Sequence, residues 1–158
     1  MQKITPSFWF DNNAEEAVDF YISVFTNSKI ESVSYYGEEG PGPARTVLTI
    51  SFQLFGQQFI AINGGPYFSF TPAISLVVNC ESQAEVDEYW EKLSEGGSTE
   101  QCGWLKDKYG ISWQIVPTIL GELMQDQDPE KVRRVTKAML QMVKLDINLL
   151  LQAYETIN

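Results

Sequence analysis

Apolar side chains follow a two-residue spacing in some parts of the chain and a helical spacing in others. Alternation predicts strands over residues 3–10, 28–36, 45–54 and 58–62. Between the first two of these, residues 14–25 place apolar side chains at helical spacing, and Asp11-Asn12-Asn13 offers a helix N-cap. The first part of the chain therefore reads as strand, helix and three further strands.

The same order of elements returns in the second part. Residues 73–79 predict a strand, and Ser82 with Glu85 has the spacing of a capping box before a helix that Gly96-Gly97 ends. Short strands follow at residues 104–105 and 111–116. The letters VDFY at 18–21 and VDEY at 86–89 share three of four residues in the two helices. These observations indicate a duplicated unit.

Helical spacing dominates after Pro117. A short helix is predicted at residues 119–124, a second begins with Asp128 as N-cap and Pro129 at the first helical position, and a third follows Asp146. The second carries a basic face, which we interpret as solvated in preference to an anion or partner site: Lys131, Arg133, Arg134 and Lys137. The last helix needs a surface to cover, and its own sheet and a second subunit are equally open.

Composition and charge exclude several classes of function. The 158 residues, 44% hydrophobic and 20% charged, suit one globular domain or two small halves sharing a core. The 21 acidic against 11 basic residues give a net charge of -10, which disfavours nucleic acid and anionic membrane as partners. No stretch approaches the roughly 20 apolar residues of a membrane helix, and residues 1–6 lack a signal-peptide pattern. We expect a cytoplasmic location.

The chain contains no histidine. This excludes a Ser-His-Asp or Cys-His nucleophile and HExxH zinc chemistry, because each needs an imidazole. Cys80 and Cys102 are too few for a disulfide framework and too far apart for a CxxC motif, so we expect free thiols.

Residues 102–117, with the sequence CGWLKDKYGISWQIVP, resemble the signature of the PhnB-like family. That family is also labelled 3-demethylubiquinone-9 3-methyltransferase and belongs to the vicinal oxygen chelate superfamily, with glyoxalase I and the bleomycin-resistance proteins. Residues 6–10 (PSFWF), 63–66 (NGGP) and 128–131 (DPEK) fit the same resemblance.

The resemblance implies an α+β fold of two βαβββ modules, at residues 1–66 and 67–117, with a helical C-terminal extension at 118–158 in one structural domain. Each module curls its sheet into half of a cup that forms the site. The resemblance also implies a homodimer.

In metal-using relatives, the first and last strands of each module supply the ligands. Those positions fall at Pro6 and Ala73, and near Asn63 and at Gln114. None is a carboxylate or histidine, and neutral amides bind hard cations weakly. We therefore expect no tightly held metal and no cofactor. No Gly-rich turn of the nucleotide-binding kind follows the first strand, so we interpret the methyltransferase label as inherited rather than as an activity.

Seven residues are candidates for ligand contact: Gln114, Asn63, Ser75, Trp104, Trp113, Phe8 and Arg45. Each also has a structural interpretation. Gln114 could tie two strands together, Asn63 could form a turn, and Ser75 could relieve packing. The aromatic residues could belong to the core, and Arg45 could be a surface charge.

The sequence predicts a protein that binds a small molecule in the cup, with or without metal-independent catalysis. One alternative is a metal-dependent lyase, isomerase or dioxygenase of the glyoxalase type. The other is a drug-sequestering resistance protein that leaves its ligand unchanged. Whether the protein is an enzyme stays open, because no carboxylate pair stands out as a general acid and base.

Overall fold

The first half of the chain forms a compact unit around a four-stranded sheet. The computed structural model describes residues 2–156, and this unit ends at Phe70. Its elements are β1 (Ser7–Phe10), α1 (Ala14–Val24), β2 (Ser28–Tyr35), β3 (Val47–Leu54) and β4 (Gln57–Asn63). The strand order is β1-β4-β3-β2, with β1 parallel to β4 and the other pairs antiparallel. Both β1 and β3 begin later than the alternation predicted.

Helix α1 packs on β2, β3 and β4. We call the side of this sheet that carries the buried residues its helix face and the opposite side its distal face. Because successive strand residues point to opposite sides, the buried residues belong to the helix face: Phe8, Phe10, Ile50, Phe52, Leu54, Phe59 and Ala61. The alternate residues form the distal face, and they include Trp9, Thr49, Ser51, Ile60 and Ile62.

The second unit begins at Thr71 and repeats the same plan. It contains β5 (Ser75–Cys80), α2 (Gln83–Ser94), β6 (Ser98–Thr99), β7 (Trp104–Lys106) and β8 (Ser112–Pro117). The order is β5-β8-β7-β6, with β5 parallel to β8. The two-residue strand β6 completes the βαβββ module; no hydrophobic alternation marks it in the sequence. Helix α2 packs on β5, β7 and β8.

Three further helices follow in the same unit: α3 (Thr118–Met124), α4 (Pro129–Leu140) and α5 (Ile147–Glu155). They bury a hydrophobic cluster of their own, formed by Leu120, Leu123, Val135, Met142, Leu145 and Leu150. Asp128 and Asp146 accept hydrogen bonds from Glu130 N and Leu149 N, as expected of the predicted N-caps.

The extension is attached to the second module by polar contacts. Cys102 N and Gly103 N donate to the carbonyls of Met142 and Val143, each at 2.8 Å. The Gln83 amide donates to Leu145 O at 3.1 Å and accepts from Ile147 N at 2.8 Å. Gly103 has a φ of +83°, and a Cβ there would lie 2.9 Å from Ile115 O and 3.0 Å from the Leu145 side chain. Only glycine fits this junction.

The predicted α+β architecture of two βαβββ modules and a helical extension is confirmed. Within residues 2–156, no helix has the length and apolar character needed to cross a membrane.

Candidate functional site

In the second sheet, the helix face is the side that carries the buried Leu105, Trp113 and Ile115, and the distal face is the opposite side. The pairing of β5, β8 and β7 places two rows of side chains on this distal face. Val77, Gln114 and Trp104 are direct neighbours in one row. Ser75, Ser112 and Lys106 are direct neighbours in the next. We call these six residues the distal patch. It combines hydroxyls, an amide and an ammonium with one indole.

The amide of Gln114 is only partly used inside the protein. Its Nε2 donates to the Ser75 hydroxyl at 2.9 Å, and both residues are half-buried. A glutamine side chain offers two N–H donors and one carbonyl acceptor. Within residues 2–156, Gln114 makes no second side-chain hydrogen bond, so Oε1 and one N–H remain for another partner.

Two further polar groups of the distal patch also have unused capacity. Ser112 is 1% exposed, and its Oγ is buried without a hydrogen-bond partner among the described residues. A buried hydroxyl in this state is uncommon and costly. Lys106 is half-buried and belongs to none of the ion pairs found in residues 2–156. Lys106 can offer hydrogen bonds and a positive charge to a partner, whereas Ser112 Oγ is enclosed below the surface of the distal patch.

Apolar surface flanks these polar groups. Trp104 is half-buried beside Gln114, and Val77 is 50% exposed on its other side. An indole and an exposed valine around convergent polar groups are typical of small-molecule sites.

Phe8 and Trp113, two of the predicted ligand contacts, lie in the interior. Phe8 is on the helix face of the first sheet and stacks on Phe59 with ring centroids 5.5 Å apart. Trp113 is 3% exposed on the helix face of the second sheet and donates from Nε1 to Asp107 Oδ2 at 2.8 Å. Both side chains therefore belong to the core, which is the structural interpretation that the sequence analysis left open.

Asn63 caps α1 instead of presenting a free amide. Its Oδ1 accepts from Ala14 N at 2.9 Å, while Nδ2 donates to Glu15 Oε1 at 2.7 Å and Val47 O at 3.1 Å. Asn13, at the N-cap position, makes no side-chain capping bond. The cap predicted from residues 11–13 is therefore replaced by a side chain distant in sequence.

Asn63 also lines a cavity of about 500 Å³ in the first unit, together with Asp11, Glu15, Tyr36 and Tyr67. Its three side-chain bonds leave little capacity for a ligand there, and its backbone carbonyl accepts from the Tyr36 hydroxyl. Arg45 is exposed in the loop between β2 and β3, where its φ is +72° and its N donates to Tyr36 O at 2.9 Å.

Within the second unit, the structure thus brings together three of the predicted residues, namely Gln114, Ser75 and Trp104. Sequence reasoning missed Ser112 and also Lys106, which lies just beyond the strand predicted at residues 104–105. The alternation of Ser112, Gln114 and Val116 along one strand was the available signal for Ser112. Nothing local marked Lys106, because its neighbours are set by the pairing of β7 with β8.

The two modules differ at equivalent places. Gly56 and Gly110 have positive φ and each precedes, by four residues, a distal-face residue of the last strand. That residue is Ile60 in the first module and Gln114 in the second. The last-strand position that the sequence placed near Asn63 is therefore closer to Ile60, since Asn63 points to the helix face.

The thiols do not add a nucleophile to the distal patch. Cys80 is buried on the helix face of β5, and burial, with a smaller effect of Glu85, raises the pKa of its thiol to about 12. Cys102 is half-buried at the junction with the extension. Residues 2–156 contain no group of three or more His, Cys, Asp or Glu side chains arranged to hold a metal ion.

Comparisons with known proteins agree with this architecture. The family model described as 3-demethylubiquinone-9 3-methyltransferase matches residues 2–116. A PhnB protein from Bacillus cereus is 43% identical, with 73% of this chain and 99% of that chain covered and a TM-score of 0.67. No curated protein matches the chain.

More distant structures share the fold. A protein from Pseudomonas aeruginosa is 22% identical over 74% of this chain and 98% of its own, with a TM-score of 0.62. The fosfomycin resistance protein FosX from Listeria monocytogenes is 15% identical over 79% of this chain and 98% of its own, with a TM-score of 0.56. The B. cereus and P. aeruginosa proteins leave about a quarter of this chain unmatched.

Proposed function

Because the chain belongs to the 3-demethylubiquinone-9 3-methyltransferase family, the PhnB-like family of the vicinal oxygen chelate superfamily, we propose that it binds a small oxygen-bearing molecule on the distal patch. The observation that carries the proposal is the unused hydrogen-bonding capacity of the half-buried Gln114 amide, in the row next to the ammonium of Lys106. Polar groups that serve only the fold are normally satisfied within it.

Each group of the distal patch has a defined part in this binding. The free N–H of Gln114 and the Lys106 ammonium donate to carbonyl, hydroxyl or carboxylate oxygens of the ligand, and Gln114 Oε1 accepts from a ligand hydroxyl. Trp104 and Val77 pack against its apolar part. The ligand is held and oriented by direct contacts, with Lys106 polarising a bound carbonyl in any reaction that follows.

A divalent metal does not fit the distal patch. A FosX variant from L. monocytogenes was crystallised with manganese(II) and a dihydroxypropylphosphonic acid. Hard divalent cations in proteins are bound mainly through carboxylates and other oxygen ligands. The distal patch has no carboxylate, and the ammonium of Lys106 opposes a cation beside Ser112.

A homodimer is part of the proposal. Strand β2 is an edge strand with exposed apolar side chains, among them Ile30 at 42% and Tyr35 at 59%. Unpaired edges and exposed apolar residues are commonly covered by association. Native mass spectrometry of the purified protein reports subunit number and any retained small mass together, and a strictly monomeric protein would contradict this part.

To test binding, benzoate, salicylate, benzamide and catechol are each titrated into the protein, and ¹⁵N–¹H NMR spectra are recorded during each titration. We expect at least one probe to shift the Gln114 side-chain amide and the backbone signals of Ser75 and Lys106. The variant Gln114→Met keeps the side-chain length but removes the hydrogen bonds, and we expect it to weaken that probe about tenfold.

Gln57→Met is the matched control, because Gln57 is exposed at the start of β4 in the first unit. Equal probe affinity in Gln114→Met and wild type, or shifts confined to other parts of the protein, would refute the proposed site.

A further inference from the structure

A groove of about 530 Å³ lies between α4 and α5. The family model ends at residue 116, so the groove lies outside the residues that the model matches. None of the six residues of the distal patch lines it. Its volume is in the range of small-molecule sites. A ligand in this groove would be separate from a ligand on the distal patch.

Four apolar side chains line the groove, together with the polar Gln141, Gln152 and Thr156. Ala138 and Met142 come from α4 and the turn after it, and Leu149 and Ala153 come from α5. Leu149 is 49% exposed although it stands next to the buried Leu150. An apolar floor between two helices offers a ligand contacts that remove this surface from water.

Among residues 2–156, two cationic side chains and no acidic side chain line the groove. Arg134 and Lys137 line it, whereas none of the 21 acidic residues of the chain appears among its lining residues. Lys137 belongs to none of the ion pairs found in residues 2–156. In a protein of net charge -10, this is a local reversal of sign.

Arg134 is fixed in place by the end of α5. Its Nε donates to Ala153 O at 2.9 Å and its Nη2 donates to Tyr154 O at 2.8 Å. These carbonyl contacts orient the guanidinium without neutralising it with a carboxylate. A rigid cation requires less ordering when an anion binds.

The other cations of α4 are engaged differently. The Lys131 ammonium lies 4.7 Å from the centre of the Tyr154 ring, and Arg133 pairs with Glu130 at 3.1 Å. Neither lines the groove. The basic face that the sequence predicted is therefore divided, and only its Arg134 and Lys137 part faces a cavity.

We propose that this groove binds a small organic anion with an apolar body, such as a medium-chain carboxylate. The carboxylate lies between Arg134 and Lys137, where charge-assisted hydrogen bonds are available. The hydrocarbon chain covers Met142, Leu149 and Ala153. The acidic remainder of the surface repels such an anion, so the groove is where it is held.

The test compares three probes of one chain length: octanoate, 1-octanol and octyltrimethylammonium. Each is titrated into the full chain at low ionic strength and followed by ¹⁵N–¹H NMR. We expect octanoate to shift α4 and α5 signals saturably, with the neutral and cationic probes at least about tenfold weaker. Equal binding of 1-octanol, or no saturable shift with millimolar octanoate, would overturn the proposal.

Variants locate the site. Lys137→Gln removes one charge at the groove, and we expect it to weaken octanoate about fivefold or more. Leu149→Asn is expected to weaken octanoate through lost apolar contact. Arg133→Gln removes the same charge from the exposed side of α4 and should leave the affinity unchanged. An equal loss in Lys137→Gln and Arg133→Gln would show a general charge effect and refute the groove.

Discussion

The two modules are built on one plan but place their polar side chains differently. In the first, Asn63 is buried on the helix face and all its side-chain bonds are made within the protein. In the second, Gln114 lies on the distal face, and within residues 2–156 its side chain makes a single hydrogen bond, to Ser75. At the position equivalent to Gln114, the first module has Ile60. The difference separates amides that hold the fold from an amide with capacity for a ligand.

The fold-holding role is clearest at Asp107. This carboxylate is 2% exposed, and it accepts from Tyr109 N at 2.8 Å, Ile111 N at 3.1 Å and Trp113 Nε1 at 2.8 Å. It fixes the turn that leads into β8 and therefore the register of Gln114. In the first module Phe55-Gly56 makes the corresponding turn without a carboxylate.

The largest effect is expected from Asp107→Ala. It leaves three donors without an acceptor, two of them buried, so we expect a loss of about 3 kcal/mol or more in the free energy of unfolding. Urea denaturation followed by tryptophan fluorescence measures it. The exposed Asp19→Ala on α1 is the control, and equal losses in the two variants would contradict the role of Asp107.

The next largest effect is expected from Asn63→Ala. We expect it to lower the free energy of unfolding by about 2–3 kcal/mol, because the N-terminus of α1 loses its cap and a carbonyl of β3 loses its hydrogen-bond donor. The same denaturation experiment applies. Asn12→Ala, at an exposed neighbouring position, should change stability by less than about 0.5 kcal/mol. If Asn63→Ala were equally mild, Asn63 would not be the cap that the structure indicates.

In the second module the cap is local, and its loss should cost less. Ser82 accepts from Glu85 N at 3.2 Å, and Glu85 Oε2 accepts from Glu81 N at 3.1 Å. We expect Ser82→Ala to cost about 1 kcal/mol and Ser82→Asp to retain most of the stability. A loss in Ser82→Ala as large as that in Asn63→Ala would remove this contrast between the modules.

Gln114→Met should change stability by less than about 1 kcal/mol, because only one hydrogen bond is lost at a half-buried position. The same variant is expected to lose probe binding. Paired measurement of unfolding and of probe affinity therefore separates Gln114 from Asn63. A large stability loss would assign Gln114 to the fold and weaken the proposed site.

The smallest effect concerns the cysteines. The pKa of Cys80 is raised to about 12, so the folded protein keeps this proton where the unfolded chain loses it. The associated stability is complete at neutral pH and declines as pH rises above about 9. At pH 8 we expect iodoacetamide to alkylate Cys102 faster than Cys80 in the folded protein. Mass spectrometry of the modified peptides measures the two alkylation rates. A faster reaction of Cys80 would contradict its burial.

Much of the fold was predictable because its signals are local. Hydrophobic alternation marked the long strands, and Ser82, Asp128 and Asp146 cap the helices where the sequence placed them. The N-cap of α1 falls at Asn13, within the predicted residues, but the side chain that makes the capping bond is Asn63, 49 residues from the backbone N–H that donates to it. Strand β6 was missed because two exposed residues carry no pattern.

The candidate site was predictable only in part. Family resemblance and strand alternation identified Gln114, Ser75 and Trp104 as candidates. The same reasoning proposed Phe8 and Trp113 as contacts, because composition cannot tell which face of a sheet an aromatic residue occupies. Lys106 and Ser112 could be assigned to the candidate site only from the pairing of β7, β8 and β5.

The sequence by itself determined the element types, the duplicated plan, the absence of imidazole chemistry and the acidic charge. These properties depend on residue identity and on spacing along the chain. Tertiary structure decided which polar groups are satisfied and which are not, because hydrogen bonds such as those of Asn63 join residues that are distant in the sequence. It also decided that Arg134 and Lys137 share an apolar groove, since α4 and α5 meet only through packing on a common core.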